Sequence, residues 1–319
     1  MIFPRSRAVL ENAKLSFVNF DNVLVASKKE RASKISGYIS LTYPDTVELI
    51  FLRLGEPVNA ARFSKKGRAI IPINEAINKA KSSHFGIAGI YEVPGEVISM
   101  ILSTIKSKPV YKDISTASSK PEDILASLKK IKFTGFVEAR KGVEVSYISF
   151  KEGEVAKAYS PRGVMDFSTD KFLKLLSMEK NLLLDAYEEA PEKLEQATPA
   201  LIMLFLKMLN GMTHEFSSET AKPLVAKFLK ASKEEAEKKC SIIKDFAISD
   251  DMKVSGETLT SPDELSKSFA EWISIFIESF RSILGDRTDD IIANAIKDYR
   301  FAIKTTGFFK HAGLKKFLS

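Results

Sequence analysis

The chain has 319 residues, 45% hydrophobic and 28% charged, with 48 Lys/Arg against 41 Asp/Glu for a net charge of +7. That balance excludes a collagen-like chain, a disulfide scaffold and a mostly disordered polymer, and the length suggests two or three domains of roughly 100–200 residues each. The longest apolar run, Ala200–Leu206, stops at Lys207, far short of the ~18–20 residues of a membrane helix.

The N-terminal stretch has early arginines but no continuous apolar segment, so no secretory signal is expected. A single cysteine, Cys240, cannot form an internal disulfide and fits a reducing compartment, the cytoplasm. The positive charge is uneven. Residues 1–120 hold 18 Lys/Arg against 10 Asp/Glu, whereas residues 213–319 hold 17 of each. The excess gathers at Lys28, Lys29, Arg31 and Lys34, and again at Arg62, Lys65, Lys66 and Arg68. If Lys28, Lys29, Arg31, Lys65, Lys66 and Arg68 converge, they form a basic patch for an acidic protein partner; phosphates of nucleic acid or a membrane surface are the alternative. Phe51, Phe63 and Phe85 lie near these runs and are read as core residues before base-stacking ones.

Two segments repeat one pattern. Ser36–Gly67 aligns with Thr134–Gly163, placing Gly37 on Gly135, Phe51 on about Phe150, Gly55 on Gly153 and Gly67 on Gly163. Downstream, Tyr91 falls on Tyr187 and Glu92 on Glu188; upstream, Val23-Leu24 meets Ile124-Leu125. Each copy predicts a leading helix, three strands joined by tight turns, a second helix, a short apolar strand and a closing helix. In the first copy the turns fall at Tyr43-Pro44-Asp45 and Leu54-Gly55-Glu56, and Asn74 caps the second helix. In the second, Val143, Val145 and Tyr147 alternate along one strand, Lys151-Glu152-Gly153 turns, and Ser168 caps a helix carrying Phe172 and Leu176. Thr198 and Pro199 open the closing helix and Gly211 ends it.

Residues 213–319 predict helices only. Ser261-Pro262-Asp263-Glu264 starts one that spaces Leu265, Phe269, Trp272, Phe276 and Phe280 along one face up to Gly285; another runs from Asp286 or Thr288 to Gly307. The segment 249–261 reads as a polar loop. The expected fold class is therefore α+β. Two tandem small antiparallel-sheet-plus-helix units, at 1–110 and 111–212, precede an all-α bundle at 213–319.

No metal-ligand spacing joins His84, His214 and His311, and no phosphate loop, dinucleotide fingerprint or nucleophile elbow occurs. No cofactor, metal or catalytic residue is expected. The order of strand, hairpin, Phe-x-x-Gly-Glu-Val, strand and glycine resembles the PATAN-type domain of bacterial signalling proteins. The residues that carry the resemblance are Thr134-Gly135-Phe136-Val137, the run Ile148–Ala158 and the helix Ile124–Leu128. The first copy is similar at Ser36-Gly37-Tyr38-Ile39 and Ile50–Val58. The resemblance implies a non-enzymatic interaction module of phosphorelay or motility signalling, with no catalytic residues to carry over.

Overall fold

A tight turn sets the register of the first sheet. Strands β2 (Gly37–Thr42), β3 (Thr46–Arg53), β4 (Glu56–Ser64) and β5 (Gly67–Ile70) run as an antiparallel meander. Between β3 and β4, Leu54 and Gly55 sit at φ 50° and 80°. Two successive left-handed residues match the twist of the flanking strands, and the second suits glycine. The strained Leu54 is held because its N–H donates to Ser36 Oγ at 3.1 Å, while Gly55 N–H donates to Ile35 O at 2.7 Å. The computed structural model describes residues 1–22, 24, 34–166, 168–179, 181–188 and 195–312.

Strand β6 (Ile87–Glu92) inserts between β2 and a strand that the sequence did not reveal, β1 (Arg7–Lys14), giving the order β1-β6-β2-β3-β4-β5. The second sheet holds β7 (Tyr111–Ser115), β8 (Gly135–Lys141), β9 (Glu144–Lys151), β10 (Glu154–Ser160), β11 (Gly163–Asp166) and β12 (Leu183–Glu188). Its order, β7-β12-β8-β9-β10-β11, is that of the first sheet strand for strand. Glu152 and Gly153 repeat the turn at φ 51° and 83°, with Thr134 Oγ1 accepting from Glu152 N at 3.0 Å. Both sheets also bulge at one place: Val58 is skipped between the Leu52–Pro57 and Phe51–Asn59 pairs, and Ala156 between Phe150–Val155 and Ser149–Lys157. The register corrects one expected match. Gly37 faces Leu52 as Gly135 faces Phe150, so Phe150 corresponds to Leu52 and Phe51 to Ser149.

The central strands of each sheet are buried on both faces. The outer face of the first, with Ile39, Ile50 and Leu52, lies under α1 (Ile73–Ser82) through Ile73, Ala76 and Ile77. Asn74 falls inside that helix, which starts after Pro72, so it is not the expected cap. The outer face of the second, with Val137, Ile148 and Phe150, lies under α3 (Pro121–Lys130) and α4 (Thr169–Met178) through Leu125, Leu128, Phe172 and Leu176. Ser168 does cap α4, accepting from Lys171 N. The inner faces share one core. Tyr38, Leu49, Phe51 and Phe63 cluster with Phe136, Tyr147, Tyr159 and Tyr187, together with Phe3 and with Val97 and Ile101 of α2 (Gly95–Lys106). The expected division at 110/111 is thus replaced by one compact unit, Met1–Leu194. Two-sided burial is why β3 reads Val-Glu-Leu-Ile-Phe-Leu rather than alternating.

Glu195–Ser319 forms the second unit. Its first helix, α5 (Pro199–Glu219), begins where Thr198 Oγ1 accepts from Leu201 N at 3.2 Å, then runs through Gly211 without a break. Ile202, Phe205, Met208, Leu209, Met212 and Phe216 of this helix are buried in the helical core. Phe216 stacks on Phe280 with centroids 4.0 Å apart, and Phe205 stacks on Phe269 at 5.3 Å. The helix expected to close the second repeat therefore belongs to the helical unit, and the expected boundary at 212/213 moves upstream. The unit continues with α6 (Lys222–Lys239), α7 (Pro262–Leu284), α8 (Arg287–Ile296), α9 (Arg300–Thr305) and α10 (Phe308–His311). Gly285, at φ 53°, ends α7, and buried Trp272 donates Nε1–H to Ser232 Oγ at 3.2 Å. A hairpin of β13 (Phe246–Ile248) and β14 (Val254–Gly256) interrupts the helices where a loop was expected. Asn210 fastens it: Nδ2 donates to Val254 O at 3.0 Å and Oδ1 accepts from Val254 N at 2.7 Å. No helix among the described residues is long and apolar enough to cross a membrane.

Candidate functional site

The basic residues singled out by the sequence go to different places. Lys65 and Lys66 are exposed on the turn between β4 and β5. Arg68, two residues on, turns inward: Nη1 and Nη2 donate to Glu138 Oε2 and Oε1 at 2.8 and 2.6 Å. Its side chain keeps 17% exposure and that of Glu138 none. Arg62 is likewise committed to Glu48 at 2.7 Å and to Glu75 at 2.6 Å. Lys28, Lys29 and Arg31 lie outside the described residues. Of the six patch residues, then, two are exposed neighbours and one is a half-buried ion-pair partner. Phe51 and Phe63 are core residues, whereas Phe85 is 79% exposed.

Arg68 enters a cluster on the inner face of the second sheet that the sequence pattern did not bring out. Glu138 on β8 faces Asp185 on β12 in the register. Arg140 reaches Asp185 Oδ2 at 2.7 Å and Asp113 Oδ1 at 3.0 Å, and its Nε lies 3.3 Å from Glu138 Oε1. Tyr147 donates its hydroxyl to Glu138 Oε2 at 3.2 Å. Burial, followed by the Glu138 charge, pushes the Tyr147 phenol well above its ordinary value. Burial works against the charged form of Arg68, but the hydrogen bonds and charge of Glu138 outweigh it and raise the guanidinium above its ordinary range. The Gly67 and Gly163 turns at φ 133° and 135° aim the last strand of each sheet, but Arg68 corresponds to Val164, so this pairing is made once.

The members of this cluster are hydrogen-bonded and ion-paired to one another. Both oxygens of Glu138 accept from Arg68, and one also accepts from Tyr147. Its value is positional, because buried charges demand particular partners. A third buried carboxylate, Glu48 on β3, lies on the outer face of the first sheet and is held by Arg62 and by Lys79 Nζ at 2.7 Å, with Lys79 also 4.0 Å above the Tyr43 ring. A charged residue inside an apolar strand, as in Phe-Val-Glu-Ala and Leu-Leu-Asp-Ala, is the signal that marks these sites in the sequence. Among the described residues, no group of three or more His, Cys, Asp or Glu side chains is arranged to hold a metal ion. No family model, curated protein or solved structure matches this chain.

Proposed function

We propose that the chain is a non-enzymatic adaptor built by internal duplication of a PATAN-like α+β module, working in cytoplasmic bacterial signalling or motility by contact with an acidic protein partner. One observation supports this reading above the others: matched backbone with unmatched surface charge. Ser64 Oγ accepts from Lys66 N at 3.2 Å, and Ser160 Oγ accepts from Arg162 N at 3.2 Å. The two turns share this geometry, yet one carries Lys65-Lys66 and the other Pro161-Arg162. Partner faces diverge in charge while the fold beneath them is retained, and two adjacent exposed cations on a rigid turn steer an acidic surface toward it.

The test is the double variant K65E/K66E in the full chain, against the strongest acidic partner captured by the unaltered protein. Association slows at low salt and the difference shrinks at high salt, because the Debye length falls from about 10 Å at 0.1 M to about 3 Å at 1 M. Stability changes by less than about 1 kcal/mol, as for other exposed charges. An unchanged association rate at low salt removes this turn from the reading.

A further inference from the structure

The two sheets turn equivalent positions to their inner faces but furnish them differently. In the second sheet these positions hold Glu138, Arg140 and Asp185, with Arg68 laid across Glu138. In the first they hold Ser40, Thr42 and Gly89, with Ser40 opposite Gly89 in the register as Glu138 is opposite Asp185. No long side chain rises from these three residues, and a cleft of about 360 Å³ opens over them.

Tyr91 forms one wall of the cleft. Gly89 lets the phenol lie directly on the strand: a Cβ at that position would stand 2.6 Å from the Tyr91 hydroxyl. Tyr38 also lines the cleft and donates its hydroxyl to Pro4 O at 2.9 Å. Arg5, Glu11 and Asn12 also line it. Arg5 is ion-paired with Glu11, donates Nε–H to Pro161 O at 2.9 Å, and lies 5.2 Å from the centre of the Tyr91 ring. The two charged side chains of the lining thus neutralise each other. The hydroxyls of Ser40, Thr42 and Tyr91 and the Asn12 amide have no hydrogen-bond partner among the described residues.

We propose that this cleft binds a small uncharged polyhydroxylated molecule, a monosaccharide or polyol. Hydroxyl and carboxamide groups both donate and accept, which suits a ligand whose own hydroxyls do both. Among the lining side chains, a net anion or cation finds a counter-charge by breaking the Arg5–Glu11 pair. The volume stands at the lower end of small-molecule pockets, roughly 300–1,000 Å³, and is too small for a polymer. This proposal is independent of the adaptor reading.

Saturation-transfer NMR on the full chain tests it, with D-glucose, D-ribose, myo-inositol and glycerol as neutral probes and citrate and spermidine as charged ones. At least one neutral probe receives transfer. Thr42→Trp, a substitution at an exposed position across the mouth, weakens that probe at least tenfold by calorimetry with an unchanged thermal midpoint. Gly89→Ala, which displaces Tyr91, weakens it as well. No transfer to any neutral probe overturns the proposal. So does undiminished binding by Thr42→Trp, or tighter binding of citrate or spermidine than of every neutral probe.

Discussion

Arg68 on β5 grips Glu138 on β8 through both guanidinium Nη atoms, at 2.8 and 2.6 Å, joining the first sheet to the second across the core they share. A bidentate pair of this kind is the geometry that offsets the cost of taking two charges out of water. Truncating one partner leaves the other buried and unmatched. Glu138→Leu and Arg68→Met are each expected to lower unfolding stability by about 3–5 kcal/mol, whereas the double variant Arg68→Met/Glu138→Leu recovers most of the loss. Urea titrations of the four proteins measure this. Additive losses in the double variant would mean the two residues act separately.

The same cluster gives the protein an alkaline limit. Burial, then the Glu138 and Asp185 carboxylates, push the Tyr187 phenol up to about 12. Burial, then Glu48, push Tyr43 up to about 12 as well. In the unfolded chain both ionise near pH 10. A folded-state pKa above the unfolded one means the native state holds more protons in that window. The associated stability is complete below about pH 10 and is lost as pH rises toward about 12. Denaturant midpoints should fall across that interval, with the part of the phenolate absorbance due to Tyr43 and Tyr187 rising as the chain unfolds. Tyr43→Phe should flatten part of the fall. A native protein that ionises all eight tyrosines near pH 10 would contradict this.

Equivalent glycines should fail equivalently. A Cβ on Gly37 would stand 2.0 Å from Tyr91 O, and one on Gly135 would stand 2.2 Å from Tyr187 O. Backbone cannot yield as a side-chain tip can, so Gly37→Ala and Gly135→Ala should each cost about 2–4 kcal/mol. Gly142, at φ 58°, has open space where a Cβ would stand, with nothing within 4 Å, and carries only the left-handed penalty. Gly142→Ala should cost about 1–2 kcal/mol. Thermal denaturation ranks the three, and a tolerated Gly135→Ala beside a disruptive Gly37→Ala would break the correspondence.

Glycines and turns made the repeats legible, because a left-handed turn leaves a fixed residue in the sequence. Gly55 and Gly153, and Gly67 and Gly163, mark corresponding turns. Strands β1 and β7 left no such mark. They are edge strands, β1 is largely exposed, and its irregular pairing with β6 gives no strict alternation. The common core was also hidden. Apolar residues on both faces of β3 reveal burial but not which face meets a helix and which a second sheet. Arg68 reads as a surface cation because its partner lies 70 residues away in sequence. The cleft beside Tyr91 is defined by what Ser40, Thr42 and Gly89 leave unfilled, and only comparison with their counterparts Glu138, Arg140 and Asp185 exposes it.

The start of α5 was legible from Thr198 and Pro199, but its end and its allegiance were not. Gly211 in a helix interior costs about 1 kcal/mol relative to Ala, a penalty that packing overrides. Ile202, Phe205, Met208, Leu209 and Met212 all precede residue 213 and are buried in the helical core. Their burial contributes on the order of 10 kcal/mol, at about 1.5–3 kcal/mol for each side chain, comparable with the whole stability of a domain. A fragment of residues 195–319 should therefore melt in one cooperative transition. A fragment of residues 213–319 should keep helical circular dichroism but lose that transition and bind a hydrophobic dye, since Phe269 and Phe308 lose Phe205 and part of their enclosure. A cooperative melt of the shorter fragment, matching that of the longer one, would return α5 to the second repeat.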